Sequence, residues 1–303
     1  MIAAGAGHPR SQRSKEIRRH ALIYLGLAPF LVLAVFPVFW MAITAIKQDP
    51  DLYLVGAAPF WFRLPPTWKN FDFLFNNTFY KDWIINTMAI SFWVSAITIL
   101  TSVPAGYALA RLRLPFAENL GIGIFMTYLV PAIILFIPLA RVVSTLDLQD
   151  SWWSLVVVYP TFTIPFCTWL LMGFFKTVPF EIEEAAMVDG CGQLGALCRV
   201  VLPVSWPGII TAIIFSFTLS MQDFLYSLAF VSISDQKPVP LGVATELIRG
   251  DIYFWGSLMA GALLVGVPVD RLQPVPRQVH LGHHGRSDQV TAVHQGSTEG
   301  GTP

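Results

Sequence analysis

Ionisable side chains are scarce among the apolar runs of this 303-residue sequence, and two places concentrate what could do chemistry. The first is EEAAMVDGCGQLGALCRVVLPVSWPG, Glu183 to Gly208. Its acids Glu183, Glu184 and Asp189, with Glu181 just before, can meet basic groups, while Ala185 and Ala186 leave a low profile through which another surface can approach. The second is Asp223, flanked by Gln222 and Tyr226 inside an apolar run. A carboxylate, an amide and a phenol beside aromatic rings suit a neutral polyol such as a sugar. An acid at that depth costs a few kcal/mol on insertion scales, so it should face the bundle interior or a water-filled cavity; pinning a helix contact is the competing role. Asn86 and Thr87 read as interhelical glue.

No catalytic signature accompanies these groups. The chain has no Gly-x-x-x-x-Gly-Lys-Ser/Thr loop to cradle a nucleotide, and its apolar runs have no His-Glu-x-x-His or Gly-x-Ser-x-Gly. Cys167, Cys191 and Cys198 fit neither a zinc site nor a disulfide framework. His280, His283 and His284 lie in a polar tail with nothing to build a second shell, so no metal site is expected.

The elements that must position these residues are membrane spans. With 54% hydrophobic and 13% charged residues, the chain has too little polar surface to cover a soluble globule. Six segments are long enough to cross a bilayer: Ala21–Ile46, Trp83–Ala110, Leu120–Ala140, Trp152–Phe175, Trp206–Ser232 and Ile252–Val269. The expected fold class is therefore all-α and polytopic. Arg10, Arg13, Lys15, Arg18 and Arg19 precede the first span and place residues 1–20 in the cytoplasm. That first run is about twice the length of a secretory h-region, so it reads as a span rather than a cleaved leader. Residues 21–269 form the membrane domain, with an outward loop over 47–82 and an inward loop over 177–205. Residues 270–303, rich in Gly, His and Gln, read as a disordered cytoplasmic tail.

Within the inward loop, Pro179 suits a first helical turn, and the acids sit at the positive end of the helix dipole. Gly190 can take the left-handed conformation that stops a helix. The pattern predicts a helix over 180–189 and a second over 193–201, ending before Pro203 because a residue preceding proline is pushed out of helical geometry. Docking of a partner and capping of the chain's own bundle both fit these features.

The spacing Glu184, Ala185, Ala186, Gly190, Val200, Leu202, Pro203 resembles the cytoplasmic signature of the inner-membrane permeases of ABC importers. INTMAIS (Ile85 to Ser91), AGYALARLRLPF (Ala105 to Phe116), FFKTVPFEIEEAAMVDG (Phe174 to Gly190) and DFLYSLAF (Asp223 to Phe230) are similar to the carbohydrate, maltose-permease-like branch. The resemblance implies six spans, with a coupling helix between the fourth and fifth that docks on an ATP-binding subunit. It also implies a second permease subunit, two ATP-binding subunits and an external solute-binding protein as partners, in a bacterial inner membrane. ATP and Mg would be used by the partner ATPase, with no cofactor on this chain and no nucleic acid bound. Glu183 and Asp189 join the signature residues as coupling candidates, and Gln222, Asp223 and Tyr226 are the candidates for the substrate path. Two places depart from the family: Met221 and Gln222 stand where Trp-Asn is usual, and Asp270 interrupts the last span. An ion-coupled carrier or channel is the alternative reading.

Overall fold

The structure, a computed structural model, describes residues 9–53, 60–112, 114–250 and 252–272. In chain order the helices are α1 (Pro9–Ile46), α2 (Asp49–Tyr53), α3 (Lys69–Asn76), α4 (Tyr80–Arg111), α5 (Ala117–Tyr128), α6 (Ala132–Thr145), α7 (Trp153–Val158) and α8 (Pro160–Thr177). Next come α9 (Phe180–Val188), α10 (Gln193–Ala196), a π-helical turn (Leu197–Val201), α11 (Leu202–Val204), α12 (Trp206–Gln222), α13 (Leu225–Phe230) and α14 (Val239–Glu246). The hairpin strands β1 (Ile248–Arg249) and β2 (Ile252–Tyr253) precede α15 (Trp255–Leu272). The architecture is all-α apart from that hairpin.

Among the described residues, three helical stretches are long and apolar enough to cross a membrane, namely Arg18–Ile46, Tyr80–Arg111 and Trp153–Thr177. Two further apolar pairs are sharply bent: α5 and α6 meet at 88°, and the segment Gln193–Val204 meets α12 at 80°. The expected third span over 120–140 is thus a broken one. Pro131 has no N–H to give the ladder and forces the residue before it out of helical geometry, so α6 starts afresh. The expected fifth span over 206–232 stops at Gln222, and the sixth helix begins at Trp255, because Ile252 and Tyr253 pair with Arg249 and Ile248. That last helix continues to Leu272, past the expected boundary at Val269, while residues 273–303, including the three histidines, lie outside the described residues.

The centre of the bundle is α4 against α8 and α12. Between membrane helices apolar area gives little net drive, so close approach and hydroxyl contacts must hold them. Thr98 Oγ1 lies 2.5 Å from Thr163 Oγ1, Ser216 Oγ donates to Ser95 Oγ at 3.1 Å, and Ser102 Oγ donates to the Ile164 carbonyl at 3.3 Å. Gly106 brings the backbones together: a Cβ there would stand 3.1 Å from both the Thr168 carbonyl oxygen and the Met172 nitrogen. Those neighbours are main chain and cannot turn aside. Gly106→Leu is therefore expected to cost about 1–3 kcal/mol by overpacking, read as a lowered thermal midpoint of the detergent-solubilised protein, with Gly106→Ala milder.

Between α1 and α4 the chain folds back onto the bundle. The buried Asn70 amide donates to the Ala45 and Lys47 carbonyls, both at 2.9 Å, and Asp51 Oδ2 accepts the N–H groups of Arg63 and Leu64. On the α6–α7 connection Asp150 accepts from the hydroxyl and N–H of Ser232. Those bonds hold its carboxyl below the ordinary carboxylate range. Most of α1 presents apolar side chains outward, from Leu22 to Phe39.

Candidate functional site

Helix α9 forms where the sequence reading placed it, with Glu181 and Glu183 in its first turn. Its end is a Schellman motif: the Cys191 N–H donates to the Ala186 carbonyl at 3.0 Å, and the Gly190 N–H donates to Met187 at 3.1 Å. Gly190 has φ +91°, a conformation that costs an L-residue about 1–2 kcal/mol. The following segment differs from expectation. Instead of ending before Pro203, it stays helical through Val204, because the wider π turn Leu197–Val201 comes before Pro203, which falls in the first turn of α11.

The acids of α9 do two different things. Glu183 is turned inward and is only 4% exposed. Its Oε2 lies 3.2 Å from Arg111 Nε at the end of α4, and its Oε1 accepts the Tyr107 hydroxyl. Arg111 also donates from Nη2 to the Val178 carbonyl at 2.5 Å and lies 4.2 Å from the centre of the Phe180 ring. Glu183, grouped with the docking acids in the sequence reading, is thus the anchor of α9 on α4. Glu184, Ala185, Asp189 and Gly190 are exposed, with Ala186 half-buried. Val200 and Leu202 are half-buried and Pro203 is exposed, while the adjacent Val201 is fully buried against Tyr107, Leu171 and Phe175. Tyr107 and Arg111 were missed as partners of this loop. Their separation of four residues puts them on one face of α4, which is the signal that could have found them. A cavity of about 320 Å³ lies beside them, lined by Tyr107, Arg111, Phe180, Glu184 and Gln193.

The second cluster is split. The chain leaves helical geometry at Asp223, whose ψ is 132°, so Gln222 and Asp223 diverge. Gln222 opens into a largely apolar cavity of about 490 Å³ with Val38, Met41, Thr218 and Val243. Asp223 and Tyr226 border another, of about 250 Å³, with Tyr128, Tyr159 and Phe162. Asp223 is therefore at a helix break rather than deep in a span. Its Oδ2 accepts the Tyr159 hydroxyl at 2.9 Å and the N–H groups of Tyr226 and Ser227 at 3.0 and 3.4 Å. A short acidic side chain that satisfies the backbone of the next turn competes with helix continuation, which explains the break. The Tyr226 hydroxyl donates to the Ala132 carbonyl at 2.5 Å, tying α13 to the bend between α5 and α6.

Apolar helices of spanning length, interrupted around polar groups and carrying an anchored acidic helix at one end, define a polytopic membrane protein. The chain belongs to the family described as binding-protein-dependent transport system inner membrane component, whose profile matches residues 102–269. It is 33% identical over 246 residues to the sulfoquinovosyl glycerol transport system permease protein SmoH of Agrobacterium fabrum, covering 81% of this chain and 85% of that one. The trehalose/maltose transport system permease protein MalG of Thermococcus litoralis is 26% identical over 260 residues, covering 84% and 91%. Among solved structures, a bacterial ABC transporter involved in the import of the acidic polysaccharide alginate superposes with a TM-score of 0.69 over 89% of this chain and 98% of that one, at 18% identity.

Proposed function

We propose that this permease forms half of the translocation path for a sugar or related polyol, in an importer driven by ATP hydrolysed on separate subunits. A second permease, two ATP-binding subunits and an external binding protein complete the assembly. The observation that carries this reading is the division of α9 into a buried face, fixed by Glu183 to Arg111, and an exposed face of Glu184, Ala185 and Asp189 beside the Gly190 stop. That face docks on the ATP-binding subunit at the cytoplasmic side, where the N-terminus also lies. Val200, Leu202 and Pro203 hold the far arm of the loop. The membrane is crossed six times, by α1, α4, the α5–α6 pair, α7 with α8, α12 and α15, in a bacterial inner membrane. Gln222 on one cavity, and Asp223 with Tyr226 on the other, line the path. Mg and ATP bind the partner, not this chain. The relatives named for sulfoquinovosyl glycerol and for trehalose and maltose support a glycoside substrate.

The test is uptake by the complete complex in proteoliposomes, assayed with a panel of labelled glycosides and the cognate binding protein. Uptake of one of them is expected to require internal ATP and to be stopped by vanadate. Uptake that persists without ATP and collapses with the proton gradient overturns the reading in favour of an ion-coupled carrier.

A further inference from the structure

The clasp between α4 and α9 leaves polar capacity unused. The Tyr107 hydroxyl donates to Glu183 Oε1, and Arg111 Nη2 donates to the Val178 carbonyl at 2.5 Å. Arg111 Nη1, however, is buried with no hydrogen-bond partner among the described residues. Arg111 Nε and Glu183 Oε2, 3.2 Å apart, attract as charges, yet neither completes a hydrogen bond. A buried donor or acceptor left in that condition costs about 1–3 kcal/mol, and it is where a water or a ligand belongs. Both side chains border the cavity of about 320 Å³ between the end of α4 and α9, a volume within the range of small-molecule sites. None of its lining residues borders the cavities that hold Gln222 and Asp223.

The groups around this cavity decide what fits it. Its unmet donor is on a guanidinium, its acceptors are the carboxylates of Glu183 and the exposed Glu184, and the Gln193 amide can do both. An inorganic anion would satisfy Arg111 but would stand beside two acids. A cation would satisfy the acids but would stand against the guanidinium. A hydroxyl donates and accepts at once, so a neutral polyol meets both kinds of group without adding charge. Phe180 and Met187, both exposed, supply the apolar wall on which a sugar ring packs.

We propose that this cavity is a cytoplasmic binding site for a neutral glycoside, separate from the translocation path, at which imported product slows further import. This rests on the reading that the chain serves an ATP-driven sugar importer with α9 at the cytoplasmic face. Arg111 Nη1 and the Gln193 amide donate to hydroxyls of the sugar, while Glu183 Oε2 and Glu184 accept from others. A ligand that bridges α4 and α9 favours the arrangement in which the cavity is formed, and any arrangement of α9 that opens the cavity is disfavoured by the differential binding free energy. The concentration that fills the site is the one inside the cell, so accumulated sugar lowers the rate of its own entry.

The experiment uses the complete complex, prepared without glycosidic detergents, in nanodiscs and in proteoliposomes. Tritiated trehalose and maltose are the probes, with inorganic phosphate and choline as the anionic and cationic competitors. At least one of the sugars is expected to bind the nucleotide-free complex in nanodiscs and to be displaced by neither competitor. Leu112→Trp, which fills the cavity from the α4 side, and Gln193→Ala, which removes an exposed amide, should each weaken that binding by about tenfold. Gln222→Ala with Asp223→Asn, on the other cavities, should leave it unchanged. In proteoliposomes preloaded with ATP and the sugar that binds, initial uptake of the transported glycoside is expected to fall about twofold when the inner site is half filled. Both cavity variants should relieve that inhibition, with uptake into vesicles holding ATP alone unchanged. Binding of neither sugar, displacement by phosphate or choline, full binding in Gln193→Ala, loss of binding in the Gln222/Asp223 variant, or inhibition that persists in both cavity variants each overturns the proposal. Failure of the importer reading is separate, because it shows as uptake without ATP, whereas binding to the nucleotide-free complex is read without transport.

Discussion

Glu183→Ala is expected to destabilise the permease by about 3–5 kcal/mol, because it leaves the Arg111 guanidinium buried without its counter-charge. Arg111→Ala strands the carboxylate in the same way. Replacing both, as Arg111→Met with Glu183→Leu, removes two desolvated charges together and should recover most of the lost stability. Thermal midpoints of the three variants in one detergent close the cycle. A single substitution with a midpoint equal to wild type would contradict the anchoring role. The recovered double variant makes the second expectation sharper: it restores folding while lacking the polar clasp between α9 and α4. Its ATP-driven uptake is therefore expected to stay low, since apolar contact fixes distance less strictly than an ion pair with two hydrogen-bonded arms.

The second large effect belongs to the opposite face of the same helix. Glu184→Lys alters a side chain that is exposed, so the isolated permease should keep its thermal midpoint. Under the proposed docking the reversed charge disturbs the contact with the ATP-binding subunit, and ATP-driven uptake is expected to fall by at least about tenfold. Ala185→Trp, which fills the low profile instead of reversing charge, should give the same loss. Copurification of the ATP-binding subunit with the tagged variant separates lost docking from lost transmission. Undiminished uptake in both variants would sink the docking assignment.

Much of this was legible in the sequence because its causes are local. The acids of α9, the stop at Gly190 and the apolar lengths of α1, α4 and α8 each follow from residues within a turn or two. The bends were less legible because they depend on which group wins a competition. Pro131 breaks a run that is apolar on both sides, whereas Pro104 lies inside the unbroken α4. Glu183 and Glu184 are adjacent and chemically identical. Only the arrival of Arg111, seventy-two residues earlier in the chain, decides which of them is buried. Gln222 and Asp223 were separated in the same way, by a backbone turn that the run of apolar neighbours did not announce.

The π turn over Leu197–Val201 has a consequence for how length changes are tolerated. In an α-helix each inserted or deleted residue rotates everything beyond it by about 100°, which in a packed bundle turns a buried face outward. A π turn already carries one residue more than its α counterpart. Deleting a residue there is therefore expected to leave an ordinary α turn and to keep the register of α11 beyond it, up to the bend that leads into α12.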